Sequence, residues 1–306
     1  MVENRRALVV GSEGNIGVPL VKYLKSLGYE VLEVDIKPAW RDNYIMADIT
    51  NAIDILPALD WGPDVVFMLS AMVSRVTCEQ AAALAVNVNL TGLQNMLELA
   101  KRAGAHFVYF STSEVYGNDL EFMDETAVPT PNNRYGLTKL LGESLVEYEV
   151  AQHGLSAVTL RPFMMYDEDE DLGDHRSAMI RFVTDLYQGK EIEVHRGSAR
   201  AWFHVSDAVR SIEAAAHVTD YSIINIGSDD VRSIEELAFL ICEQLDADRA
   251  LVRTVDLPNR MTLIKQPNLQ RQRDILGVVP KVKLEQGLKL VCEKMTERMA
   301  LEKMSG

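Results

Sequence analysis

Tyr135 and Lys139 stand four residues apart in RYGLTK. On a helix that spacing puts both on one face. A lysine beside a tyrosine favours phenolate over phenol and is expected to draw the tyrosine pKa down from about 10. Earlier in the chain, FVYFSTSEVYG ends an apolar run in the hydroxyls of Ser111, Thr112 and Ser113, with Glu114 next. A Thr112 hydroxyl facing the same point as Tyr135 and Lys139 makes a third partner for a substrate hydroxyl. Such a set suits removal of a proton from an alcohol. Tyr-x-x-x-Lys alone is common on amphipathic helices, so its meaning depends on the elements that carry it.

The strand Phe107 to Phe110 places the hydroxyl cluster at a strand end, where α/β proteins hold their chemistry. The chain upstream supplies the rest of such a sheet. Ala7 to Val10 reads as a buried strand running into GSEGNIG, with glycines at 11, 14 and 17, and an amphipathic helix follows. Glu30 to Ile36 is a second strand, with Asp35 near its end. Strand, glycine loop, helix, strand and acid together form a dinucleotide fingerprint, here spaced G-x-x-G-x-x-G. Gly11 permits the turn, Gly14 the approach of a pyrophosphate, and Gly17 the packing of helix on sheet; the helix N-terminus meets the phosphates.

Asp35 favours an adenosine ribose over a 2′-phosphate, hence NAD over NADP, although Lys37 and Arg41 follow closely. Tyr44 to Ile49 predicts a third strand. Asp48 at its end suits either the adenine amino group or a helix N-cap. Asp64 to Leu69 is a fourth strand, with the small Ser70 and Ala71 after it. A long helix is expected from Glu79 to Arg102, where Asn87 and Asn89 interrupt the apolar pattern. One of these two is expected to hydrogen-bond the sheet-end loops, and Asn87 is the candidate. Tyr135 opens a helix to about Gln152, and Ala157 to Leu160 is a sixth strand leading to Arg161-Pro162-Phe163. The fold class expected is α/β, a doubly wound parallel (Rossmann) sheet with a smaller C-terminal substrate lobe. Residues 1–162, with returning segments at about 200–228, would form the cofactor domain; 163–199 and 229–306 would form the lobe. Beyond Phe163, an acidic run at 167–171 reads as a solvated loop, not a metal site. Ser233 with Glu236 makes a capping box, and Leu284 to Leu301 a tail helix. Arg200, Arg260 and Lys265 are candidates to hold an anionic substrate group.

The net charge of −14 over 306 residues disfavours nucleic acid and anionic membranes as partners. Cys78, Cys242 and Cys292 are scattered, with neither a disulfide framework nor a zinc spacing. No run reaches membrane-spanning length, and no signal-peptide core precedes the first strand, so a cytoplasmic location is expected.

Taken together, GSEGNIG, Asp35, DVVFMLSA, NLTGLQNMLELA, FSTSEVYG, YGLTK, LRPF, RAWFHVSDAV and INIGS resemble the extended short-chain dehydrogenase/reductases, in the nucleotide-sugar epimerase/dehydratase branch. The resemblance covers nearly the whole chain. It implies NAD as cofactor and a nucleotide diphosphate sugar as substrate. It implies catalysis by Thr112, Tyr135 and Lys139 through a transient 4-ketose, with Arg200 and Arg260 on the diphosphate, and a homodimer. The implied cofactor residues are Gly11, Gly14, Asn15, Ile16, Gly17, Asp35, Asp48, Ile49, Leu69, Ser70, Ala71, Asn87 and Arg161, with Tyr135 and Lys139. On the substrate side stand Ser113, Glu114 and Lys265. A 4-epimerase is the leading expectation. Thr112-Ser113-Glu114 replaces the dehydratases' Thr-Asp-Glu, which disfavours dehydration. STSEVYG and RAWFHVSD resemble UDP-glucuronate decarboxylases, but Lys265 stands where some of those use Arg. A ketoreductase or dehydrogenase and a non-catalytic dinucleotide sensor are the remaining alternatives. Met68, Arg134 and Met164-Met165-Tyr166-Asp167 depart from the family pattern, all on the substrate side.

Overall fold

Runs such as ALVV, VVFM and FVYF are apolar on both faces, which suits strands covered by helices above and below. The computed structural model describes residues 4–118, 120–170, 177–257 and 262–305. Seven strands form one sheet: β1 (Arg6–Val10), β2 (Glu30–Asp35), β3 (Tyr44–Met46), β4 (Val65–Met68), β5 (His106–Phe110), β6 (Ala157–Pro162) and β7 (Ile223–Ile226). Their order is β7-β6-β5-β4-β1-β2-β3. Every neighbouring pair is parallel. The order reverses between β1 and β4, so a crevice opens at their carboxyl ends.

One face of the sheet packs Leu20 and Leu24 of α1 (Gly17–Ser26) and the helix Val205–Ala215 against Val9, Phe67 and Val108. The other face packs Met96, Leu97 and Ala100 with Val146 against Leu8, Val34, Phe107 and Tyr109. A third cluster gathers Trp202 and Tyr166 with the helices Ala178–Tyr187, Ile234–Leu245 and Leu284–Ser305. Leu276 and Val278 pack with the first face instead. Both bonds of the Ser233–Glu236 capping box are present, at 2.8 and 2.9 Å. In a small four-stranded sheet, Ala199–Ala201 pairs with Ile264–Pro267, setting Arg200 beside Lys265.

Two local expectations differ from the structure. The third strand ends at Met46, and Asp48 turns the chain by accepting from the Thr50 N–H and hydroxyl, at 2.9 and 2.8 Å. The long helix is broken into α2 (Arg75–Gln80), a short helix Ala82–Val86, a π-helical turn Asn87–Gly92 and α3 (Leu93–Ala103). A π-turn changes which residues share a face.

Candidate active site

A cavity of about 660 Å³ lies along the carboxyl ends of β1, β4, β5 and β6. Its dinucleotide half is built by glycine. Gly11 leaves β1 with φ +90°, and a Cβ there would stand 2.8 Å from the Ser70 nitrogen. At Gly17 a Cβ would lie 2.1 Å from the Gly11 carbonyl oxygen. The loop therefore closes against both α1 and the end of β4, and leaves a cradle that side chains would fill. Gly11, Gly14, Asn15, Ile16, Gly17, Asp35, Leu69, Ser70 and Ala71 all line it. Asp35 accepts from the Glu13 N–H at 2.9 Å and the Lys37 N–H at 3.0 Å, which fixes its carboxylate at the rim. This cradle fits a dinucleotide.

The other half of the cavity holds Thr112, Ser113, Glu114, Tyr135 and Lys139. The helix α4 (Arg134–His153) starts from Asn133, whose side-chain oxygen accepts from the Gly136 N–H at 2.9 Å. Asn133 also donates to Glu114 at 2.9 Å. A Cβ on Gly136 would be 2.6 Å from the Glu114 carbonyl oxygen, so glycine lets α4 press onto the turn after β5. That contact sets the Tyr135 side chain beside Thr112, close enough for Thr112 to act on the Tyr135 pKa.

The electrostatics differ from the expectation. Tyr135 has its pKa raised, chiefly by burial, with the Thr112 hydrogen bond acting the other way and Glu114 adding to the rise. Lys139 exerts no resolved pull on it. Lys139 is 3% exposed, and its ammonium lies 4.8 Å from the centroid of the Tyr109 ring. Burial lowers the Lys139 pKa to about 7, with Glu143 opposing. The protein alone therefore holds a phenol, because desolvation outweighs the opposing effect of Thr112.

Several predicted residues stand elsewhere. Asn87 is exposed; Asn89 is the buried one. Asn89 accepts from the Met72 N–H at 2.7 Å and donates to the Met72 carbonyl at 3.2 Å and to Thr138 at 2.9 Å. Since Thr138 in turn donates to the Tyr135 carbonyl at 2.9 Å, Asn89 ties the loop after β4 to the start of α4. Asp48 and Ile49 do not line the cavity. Ile49 packs where a Cβ on Gly92 would come within 2.6 Å of it. Arg161 is outside the lining as well; it is buried against Glu143, with bonds of 2.9 and 2.7 Å. Arg200 is outside too, its guanidinium donating to the carbonyls of Ala199, Thr262 and Leu263. Arg260 and Asp171 lie outside the described residues.

Lys265 forms an ion pair with Glu114. The two side chains are 6% and 17% exposed. Lys265 and nearby Arg75 hold the Glu114 pKa below its usual value against the opposing effect of burial. Burial lowers that of Lys265. Arg75, which sequence reading passed over, lines the cavity 3.7 Å from Glu114. Its signal was Ser74, which caps α2 by accepting from Thr77 at 3.1 Å and so sets Arg75 on the first turn beside the strand ends. The acidic loop also reaches the cavity, through Asp167 and Glu170. Asp167 has its pKa raised, chiefly by burial. Among the described residues no group of three or more His, Cys, Asp or Glu could hold a metal, and no helix is long and apolar enough to cross a membrane.

Comparison with known proteins places the chain among relatives of nucleotide-sugar enzymes. The profile of the NAD dependent epimerase/dehydratase family matches residues 7–227. The UDP-N-acetyl-alpha-D-glucosaminuronate decarboxylase of Bacillus cytotoxicus is 29% identical over 314 residues, spanning 93% of this chain and 96% of that protein. UDP-glucuronic acid decarboxylase 6 of Arabidopsis thaliana is 27% identical, over 98% of this chain and 91% of its own. The UDP-glucose 4-epimerase of Thermotoga maritima, solved with UDP-glucose, superposes with a TM-score of 0.89 at 25% identity, covering 96% of this chain and 99% of that one.

Proposed function

The chain belongs to the NAD-dependent epimerase/dehydratase family, and from that premise we propose that it decarboxylates a nucleoside-diphosphate uronic acid through a 4-keto intermediate. The observation that carries this is the Glu114–Lys265 ion pair beside the Tyr135 and Thr112 hydroxyls. The two decarboxylase relatives support it. Bound NAD supplies the oxidation at C4 and its later reversal. Tyr135 would act from its phenolate form, its own proton lost to solvent once the positive charge of bound NAD offsets the burial that otherwise keeps it a phenol; it would then take the proton of the 4-hydroxyl while Thr112 orients that oxygen. The oxidised sugar is a β-keto acid. Breaking its C5–carboxylate bond sends the electron pair toward O4, where Thr112 and the proton-retaining Tyr135 phenol stabilise the charge. Carbon dioxide leaves, and C5 takes a proton from the Glu114–Lys265 pair, whose ammonium is made more acidic by burial. Lys139 orients the cofactor ribose. Arg75, at the cavity wall, is placed for an anionic substrate group.

The same reading assigns residues 1–162, with returning segments at about 200–228, to the cofactor, and 163–199 with 229–306 to the sugar nucleotide. Exposed Val76, Leu137 and Leu141 on α2 and α4 support a homodimer contact there.

A 4-epimerase is the second reading, favoured by the likeness to the Thermotoga maritima enzyme. It shares the oxidation and differs in the fate of the ketone. One experiment separates the two: incubation with UDP-, dTDP-, GDP- and CDP-sugars, uronates included, read by mass and NMR. Loss of carbon dioxide from a uronate is the expected result. An isomer of unchanged mass gives the epimerase reading instead. Tyr135→Phe should lower turnover by about 10²-fold or more while NAD stays bound; unchanged turnover in that variant refutes both.

A further inference from the structure

Two cations, Lys37 and Arg41, follow Asp35 closely enough to greet the 2′-phosphate of NADP, and the structure shows where each is spent. Lys37 lines the cradle, but its ammonium donates to the backbone carbonyl of Glu13 at 3.1 Å. Arg41 is bound to the carboxylates of both Glu13 and Glu33, with its Nε 3.1 Å from Glu33. Its guanidinium lies over the Tyr44 ring, 4.6 Å from the centroid. Glu33 is buried on β2, with only 3% of its side chain exposed, and takes a second cation, Lys25, at 2.8 Å. It anchors Arg41 from below. Glu13 is the partner at the cradle itself: it lines the cavity beside Asp35, Ile36 and Lys37. Its N–H donates to Asp35 at 2.9 Å.

We propose that Glu13 is a second specificity residue of the dinucleotide site, excluding 2′-phosphorylated cofactor by keeping Arg41 engaged. The proposal rests on the dinucleotide reading of the cradle, and not on the fate of the sugar. Its physical content is a competition. An arginine is a strong phosphate ligand when its fork is free. Here both of its carboxylate partners are fixed, one by burial in the sheet and one by the glycine loop. A phosphate must displace Glu13 to reach it, and then stands among Glu13, Asp35 and Glu33. Asp35 repels the phosphate directly; Glu13 withholds the cation that would offset that repulsion.

The test uses the full chain. Wild type, Glu13→Gln, Arg41→Ala and the Glu13→Gln/Arg41→Ala double variant are equilibrated with equal concentrations of NAD and NADP and desalted. The protein is then denatured and the released dinucleotides are quantified. Glu13→Ser serves as a second variant, and thermal unfolding checks that each is folded. Glu13→Gln is expected to raise the NADP-to-NAD ratio about tenfold, the effect of one added charge-assisted contact of about 1.4 kcal/mol. Arg41→Ala alone should leave the ratio near wild type, and the double variant should lose most of the gain. An unchanged ratio in folded Glu13→Gln and Glu13→Ser overturns the proposal. So does a gain that survives intact in the double variant, because Arg41 would then have no part in it. Wild type that retains neither dinucleotide fails the underlying cofactor reading, a result distinct from either.

Discussion

Replacing Arg161 with Met should cost stability and spare the cofactor. Arg161 and Glu143 are 2% and 4% exposed and joined by two hydrogen bonds, of 2.9 and 2.7 Å. Glu143 also accepts from Ser111 at 2.5 Å, and the Arg161 guanidinium lies 4.8 Å from the centroid of the Tyr116 ring. Removing the arginine leaves a buried carboxylate with a single hydroxyl partner. Breaking one side of such a pair costs about 3–5 kcal/mol. With an unfolding entropy of about 2 cal/mol/K per residue, a chain of this length loses roughly 1.5 °C per kcal/mol, so the midpoint should fall about 5–8 °C. The double variant Arg161→Met/Glu143→Leu removes both charges and should recover most of the loss. The remaining deficit, about 1 kcal/mol, comes from the Ser111 hydroxyl left without its acceptor. Thermal unfolding in excess NAD, with dinucleotide released per folded chain as the second readout, tests this. A midpoint shift under about 1 °C would refute the buried-pair reasoning. Loss of NAD from still-folded Arg161→Met would show that the residue serves the cofactor after all.

Gly17→Ala should open the glycine loop, since its Cβ would stand 2.1 Å from the Gly11 carbonyl oxygen and 2.7 Å from the Ser12 Cα, both backbone atoms; NAD affinity should drop about tenfold or more, read by calorimetry. Lys139 predicts a pH dependence for the dinucleotide-free protein. Its folded pKa is lowered to about 7 by burial, so the unfolded chain binds more protons between there and about 10.4. Stability should therefore rise with pH across that window, by at most about 1.4 kcal/mol per pH unit. Lys139→Met should flatten the slope; equal slopes in denaturant titrations of the two proteins would contradict the burial argument.

What sequence reading could find here was local. The sheet follows from apolar runs bounded by turns, and the dinucleotide cradle from glycines whose spacing carries its own steric reason. Tertiary placement was out of its reach. Asn89 and not Asn87 is buried, and both lie in the π-turn Asn87–Gly92, where a 3.6-residue periodicity does not say which residue faces inward. Arg161 is a cofactor residue only by resemblance; its partner Glu143 lies on α4 and comes beside it only through the packed fold.

Charge is where sequence is least informative, because a cation's role depends on which anion reaches it first. Arg200 is spent on three backbone carbonyls, Arg161 on Glu143, and Arg41 on Glu13 and Glu33. Among the described residues, the cations beside the Thr112 and Tyr135 hydroxyls are Lys139, buried against the Tyr109 ring, Arg75, partly exposed at the cavity wall, and Lys265, held by Glu114. An active site in a chain of net charge −14 must keep a few positive groups free for an anionic substrate while neutralising the others. Glu114 stands where those needs meet. Paired with Lys265 it satisfies a buried ammonium, and beside Arg75 and Tyr135 it sits at the wall of the cavity. A substrate carboxylate that draws either cation toward itself would weaken that cation's hold on Glu114. In the proposed decarboxylation, the pair is the point at which uronate binding and proton delivery to C5 would be coupled, and loss of either partner should affect both together.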